Sequence, residues 1–168
     1  MIALGLAGWS GAGKTTLAAA LIGIFTRGGL AVSSIKHAHH DLVFDRPGKD
    51  SYRHAEAGAR EVILAANGGF ALFSRAVAPG PVELLSRLAP VDLVLIEGFR
   101  DYAVPKLEVY RPALGKPPLW TSMKMLAVAS DGVVEGCPVP VLDLNDPAGI
   151  ADFLAGALGL ESYARAEE

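Results

Sequence analysis

Apolar and polar positions along this 168-residue chain alternate in short runs whose spacing predicts strands and helices taking turns. Ile2-Ala3-Leu4-Gly5-Leu6-Ala7 is a continuous apolar run of strand length, and Thr16-Leu17-Ala18-Ala19-Ala20-Leu21-Ile22 is helix-forming. Arg27-Gly28-Gly29 stops that helix, and Leu30 to His37 reads as a second strand. A polar stretch from His39 to Lys49 carries the turn signal Arg46-Pro47-Gly48. Asp50 or Ser51 is expected to cap a short helix through Ala57, ended by Gly58. Glu61 to Ala65 and Phe70 to Ser74 are expected to pair as a hairpin around Asn67-Gly68-Gly69.

The second half continues the alternation. Pro81 opens a helix reaching about Leu88, and Val91 to Glu97 is the clearest buried strand. Lys106 to Tyr110 alternates as a strand with one exposed face would. Pro112 to Pro118 is a loop, and Met125 to Ala129 and Val139 to Leu142 are two further short strands. Asp146 caps a last helix that starts at Pro147 and ends near Leu158; residues 165–168 are expected to fray. The pattern predicts an α/β fold with a mostly parallel sheet, helices on both faces and a β-hairpin extension. Residues 1–160 are expected to form one domain, followed by a C-terminal tail at 161–168.

Chemistry enters between the first strand and the first helix. Gly8-Trp9-Ser10-Gly11-Ala12-Gly13-Lys14-Thr15 has the form G-x-x-x-x-G-K-[ST], a phosphate-binding loop in the strand–loop–helix context that the motif requires. Ser10, Gly11, Ala12, Gly13, Lys14, Thr15 and Thr16 are the candidate phosphate contacts. Backbone N–H groups converge on phosphate oxygens there, and the helix N-terminus adds partial positive charge. Lys14 is expected to reach the β- and γ-phosphates and the Thr15 hydroxyl to hold Mg²⁺. Such a site needs an acid at the end of a neighbouring buried strand, and Glu97, followed by Gly98, stands there. Glu97 is expected to act through Mg²⁺ or the attacking water; its alternative is a pairing with Arg100 or Lys106. Asp92, at the strand's start, reads as a surface residue.

All four histidines, His37, His39, His40 and His54, fall in one polar stretch with Lys36, Asp41, Asp45, Lys49, Asp50 and Arg53. Three readings stay open there: a switch loop facing the γ-phosphate, a transition-metal site, or a solvated loop. In the first, His37 and His39 face the nucleotide, Asp45 joins Thr15 and Glu97 around Mg²⁺, and Asp50 acts with Lys14 and Glu97. Base selection is poorly signalled. Asp131, after the strand at 125–129, and Asn145-Asp146 are candidates, and both also suit ordinary turns and caps.

Composition narrows the classes. With 51% hydrophobic and 20% charged residues the chain is globular, and a net charge of −3 argues against nucleic acid as a partner. No apolar stretch approaches a bilayer span, and the first thirteen residues hold no Lys or Arg. The single cysteine, Cys137, is expected to be a buried, inert thiol. These features point to the cytoplasm.

The loop Gly8 to Leu17, Lys36-His37-Ala38-His39-His40, Pro47-Gly48-Lys49-Asp50-Ser51-Tyr52-Arg53-His54, Glu56-Ala57-Gly58-Ala59, Ile96-Glu97-Gly98-Phe99 and Pro105-Lys106-Leu107-Glu108-Val109 occur in that order. This series resembles the MobB family of molybdopterin-guanine dinucleotide biosynthesis, over residues 1 to about 145. The resemblance implies a GTP-binding homodimer with weak GTPase activity. It also implies an adapter role for the guanylyltransferase that joins GMP to molybdopterin during molybdenum cofactor assembly. The family's loop residues fall on Gly11 to Thr16 and its strand-end acid on Glu97. Trp9 and Ser10 stand where related dimeric NTPases place a signature lysine. Two other classes suit parts of the pattern: a P-loop small-molecule kinase, from the loop, and a metal-insertion GTPase, from the histidines.

Overall fold

The first apolar run becomes β1 (Ile2–Ala7), and the two buried runs that follow it in space rather than in sequence lie on its flanks. β5 (Leu93–Glu97) pairs with one side of β1 and β6 (Lys106–Tyr110) with the other, both parallel. β2 (Val32–Lys36) completes one edge beside β5, while β7 (Ala127–Ser130) and β8 (Val141–Asp143) continue beyond β6. The six-stranded parallel order is β2-β5-β1-β6-β7-β8. Strand order therefore reverses at β1, and the crevice at its carboxyl end is where such sheets bind ligands. The computed structural model describes residues 1–38, 45–75 and 79–164.

Helices α1 (Lys14–Arg27) and α4 (Pro147–Leu158) bury one stripe each against this sheet. Leu17, Leu21 and Phe25, one turn apart, meet Leu4, Leu6, Leu93, Leu95, Leu107 and Val109, with Ile150 and Leu154 beside them. The Asp146 side chain accepts from Gly149 N at 3.0 Å and caps α4, as its position before Pro147 predicts. On the opposite side of β1, Ala7, Leu119 and Met125 form a smaller cluster with Trp9 and Trp120 packed on it.

One strand departs from expectation. Leu107, Glu108 and Val109 of β6 are all buried, so the strand has no exposed face. Its alternating charges misled the pattern because each finds partners inside the structure. Lys106 Nζ donates to the carbonyls of Tyr102 and Val104 at 2.5 and 3.3 Å. The Glu108 carboxylate accepts from the backbone of a 3-10 turn, Leu119–Thr121: from Leu119 N at 2.8 Å and Trp120 N at 3.0 Å. Cys137 lies ahead of β8 and departs from expectation in being half-buried rather than buried.

The chain divides into two compact units, residues 1–37 with 88–168, and residues 38–87. The smaller contains α2 (Asp50–Glu56), the antiparallel hairpin of β3 (Glu61–Ala66) and β4 (Gly69–Ser74), and α3 (Pro81–Ser86). Asn67-Gly68 is the two-residue turn between the strands. Ion pairs Arg75–Glu56, Arg87–Glu61 and Arg87–Glu83 tie its elements together. Among the described residues no helix is long and apolar enough to cross a membrane.

Candidate functional site

The loop after β1 is shaped by backbone sterics before any side chain acts. Gly8 has φ +139°, and a Cβ there would sit 2.4 Å from the Val109 carbonyl oxygen. Only glycine lets the chain leave β1 in contact with β6. Helix α1 then begins at Lys14 with no side-chain cap, so its first N–H groups remain available to a ligand in the loop.

Lys14 Nζ donates to the Trp9 carbonyl at 2.9 Å, which folds the side chain back over the loop. Burial pushes its ammonium below the usual lysine range; the Glu97 charge opposes that shift and the Lys36 charge adds to it. The Thr15 hydroxyl donates to both Glu97 carboxylate oxygens, each at 3.0 Å. Residues 82 apart in sequence are thus joined, the first turn of α1 meeting the carboxyl end of β5, where the motif and the strand-end acid were expected to meet. Hydroxyl and carboxylate oxygens are the hard donors that suit Mg²⁺, and the pair fits that ion.

Glu97 takes neither of the partners proposed as its alternative. Lys36, its Cα neighbour across the β2–β5 ladder, supplies the nearby charge at 3.6 Å. Lys36 Nζ also donates to the Thr15 hydroxyl at 3.1 Å. After Glu97 the chain turns through Gly98, φ +97°, where a Cβ would lie 2.6 Å from that of His37. Phe99 follows at φ +46°, the single non-glycine residue with positive φ among the described residues. Its ring stacks on His37 with centroids 4.5 Å apart. Backbone strain of this kind gathers where function fixes the geometry.

On the other side of the loop stands Arg111, which the sequence reading passed over. Its Nε donates to the Ala12 carbonyl at 3.0 Å, and its Nη1 pairs with Asp131 at 2.5 Å. The signal available was positional: Arg111 directly follows β6, the strand beside β1, at the ligand-binding end of the sheet. Asp131, the base-reading candidate, is engaged by this guanidinium. Asn145 donates to Asp143, from its backbone at 2.8 Å and its side chain at 3.1 Å. The loop is held from outside too: Trp9 Nε1 donates to Pro117 O at 2.7 Å, and Lys116 lies over the Trp9 ring.

The remaining candidates belong to the smaller unit. The Asp45 carboxylate accepts the Ser51 hydroxyl and the Arg46 N–H, and both bonds hold its pKa below the usual carboxylate value. Asp50 opens α2 and is exposed. His39, His40 and Asp41 lie outside the described residues, so the histidine segment is represented by His37 and His54. Among the described residues no three of His, Cys, Asp and Glu gather as a metal-binding group. Trp120 is half-buried, edge-on to Tyr110 with ring centroids 5.1 Å apart.

Comparison with known proteins agrees with this arrangement. The model of the family MobB, described as molybdopterin guanine dinucleotide synthesis protein B, matches residues 3–131. The molybdopterin-guanine dinucleotide biosynthesis adapter protein of Escherichia coli (strain K12) is 39% identical over 158 residues, which cover 90% of each chain. Its namesake in Haemophilus influenzae is 38% identical over 154 residues, covering 90% of this chain and 86% of that protein. The crystal structure of Bacillus subtilis MobB superposes with a TM-score of 0.74 at 23% identity, covering 94% of this chain and 98% of that one. The MobB homolog from Bacillus stearothermophilus gives 0.73 at 24%, covering 95% and 99%. The fold is that of a P-loop NTPase.

Proposed function

This chain belongs to the MobB family, and from that premise we propose that it binds GTP with Mg²⁺ and serves as an adapter in molybdopterin guanine dinucleotide biosynthesis. One observation carries the nucleotide reading: the Thr15 hydroxyl and Glu97 carboxylate meet beside Lys14 at the mouth of the glycine loop. The loop's N–H groups and Lys14 take the phosphates, while Thr15 and Glu97 present oxygens to Mg²⁺. The ion supplies charge neutralisation across the β- and γ-phosphates when bound.

Glu97 is also the group that orients an attacking water, and hydrolysis is slow. Among the described residues the arginine bonded to the loop, Arg111, is already committed to Ala12 and Asp131, and a transition-state arginine is worth large rate factors. The proposed partners are the molybdenum cofactor guanylyltransferase, molybdopterin and a second copy of this chain. The homodimer draws its support from the hairpin. Ile63, Ala65, Phe70 and Leu72 share one face of β3 and β4, and all four are exposed. A patch of that kind marks an interaction surface.

Lys14→Ala tests the central step. GTP affinity is expected to fall at least about a hundredfold, since Lys14 meets two phosphates through charge-assisted bonds, while the circular dichroism spectrum stays unchanged. Normal GTP binding by that variant, or tighter binding of ATP than GTP by the unaltered chain, would overturn the reading.

A further inference from the structure

Two ammonium groups converge on the loop, and only one has a conventional place there. Lys14 belongs to the phosphate motif. Lys36 comes from the end of β2, the edge strand, and the ladder register sets it directly across from Glu97. Its ammonium touches Thr15 Oγ1 at 3.1 Å and Glu97 Oε1 at 3.6 Å. These are the two oxygen donors assigned above to Mg²⁺, so a protein cation already stands against both ligands of the proposed ion.

We propose that Lys36 holds the cation position at Thr15 and Glu97 until Mg²⁺ takes it, and that the displaced ammonium becomes a ligand of the terminal phosphate. The inference rests on the nucleotide reading above and deepens it. Three features support it. Glu97 keeps only 16% of its side chain exposed and needs a counter-charge in every state of the site. The Lys36 side chain is 58% exposed at a sheet edge, so it can move without disturbing the core. Arg111 is bonded to Ala12 and Asp131 and Lys116 lies over the Trp9 ring, whereas Lys36 already stands at Thr15 and Glu97, where it can answer the added phosphate charge.

A residue that meets only the terminal phosphate has a distinct signature: it discriminates triphosphate from diphosphate, and only with Mg²⁺ present. Titration calorimetry on the full chain, with a slowly hydrolysed GTP analogue and with GDP, each with and without Mg²⁺, reads this directly. In Lys36→Ala the preference for the analogue over GDP in Mg²⁺ is expected to fall about tenfold or more, as loss of one charge-assisted bond implies. GDP affinity should stay within about twofold by the same argument, and Lys36→Arg should keep most of the preference. An unchanged preference in Lys36→Ala, or equal weakening of both nucleotides, would overturn the proposal and leave nucleotide binding standing. Binding of neither nucleotide by the unaltered chain would remove the reading and the proposal together.

Discussion

The two compact units solve the problem of burial in opposite ways. The larger one encloses a continuous core built on four of its six parallel strands and two helices, with Leu4, Phe25, Leu93, Leu107 and Leu154 fully inaccessible. In the smaller one the buried residues among those described are Ser51, Ala55 and Val62, while Phe70 is 75% and Ile63 64% exposed. A hairpin with one open apolar face and ion pairs for ties is marginal by itself. The contrast separates the two proposed roles: nucleotide binding is assigned to the rigid frame, and self-recognition to the surface that the smaller unit leaves uncovered.

The frame is most directly broken at Gly8. Alanine there would force a Cβ against the Val109 carbonyl at 2.4 Å in a backbone conformation that L side chains rarely adopt. Gly8→Ala is expected to destabilise the chain by about 3–5 kcal/mol, combining backbone strain with the displacement of β6. Urea unfolding would read the loss, and nucleotide affinity should fall with it. A midpoint near the unaltered value would mean that the loop adjusts, and that the rigidity ascribed to the larger unit is overstated.

The smaller unit is tested by charge. Phe70→Asp places a carboxylate on the exposed hairpin face of the smaller unit and leaves the residues of the phosphate loop unaltered. If a second copy covers that face, the dimer should weaken by at least about 2 kcal/mol, or roughly thirtyfold, as for a central aromatic anchor. Sedimentation velocity over a concentration series measures it, with GTP affinity as the control expected not to move. Unchanged self-association would place the dimer contact elsewhere.

Much of this division was legible from residue order, and the parts that were not share a cause. Strands β1 and β5, helix α4 with its Asp146 cap, and the Asn67-Gly68 turn follow from local periodicity and local hydrogen bonding. The meeting of Thr15 with Glu97 was also foreseeable, because motif and strand-end acid imply each other in a parallel sheet. Lys36 was visible only as one charge in a polar stretch; its role depends on the β2–β5 register, which no local pattern encodes. Arg111 was hidden likewise, since its contact with Ala12 spans 99 residues. The alternation in β6 misread for a related reason: Glu108 looks solvent-facing until the 3-10 turn that satisfies it is folded over the strand.

Glu108 gives the smallest and most discriminating test, because the two units carry acids shifted in opposite directions. Burial raises the Glu108 pKa above the ordinary 4.5, against the two backbone bonds and the Arg100 charge that lower it. A carboxyl whose folded value lies above its unfolded one favours folding through its protonated form. That contribution is complete below the unfolded value and is lost as pH rises through the folded one. Asp45 behaves inversely: its pKa is held below 3.8, chiefly by the Ser51 hydroxyl, so its contribution is present above that value and lost as pH falls further. Glu108→Gln leaves one of the Leu119 and Trp120 N–H groups poorly paired and should cost about 1–2 kcal/mol near pH 4. The deficit should shrink as pH rises toward neutrality, because the unaltered chain then carries a buried charge that glutamine lacks. Thermal unfolding from pH 4 to 8 checks the slope of that difference. A difference independent of pH would show that Glu108 holds the turn by hydrogen bonding alone, with its charge already compensated.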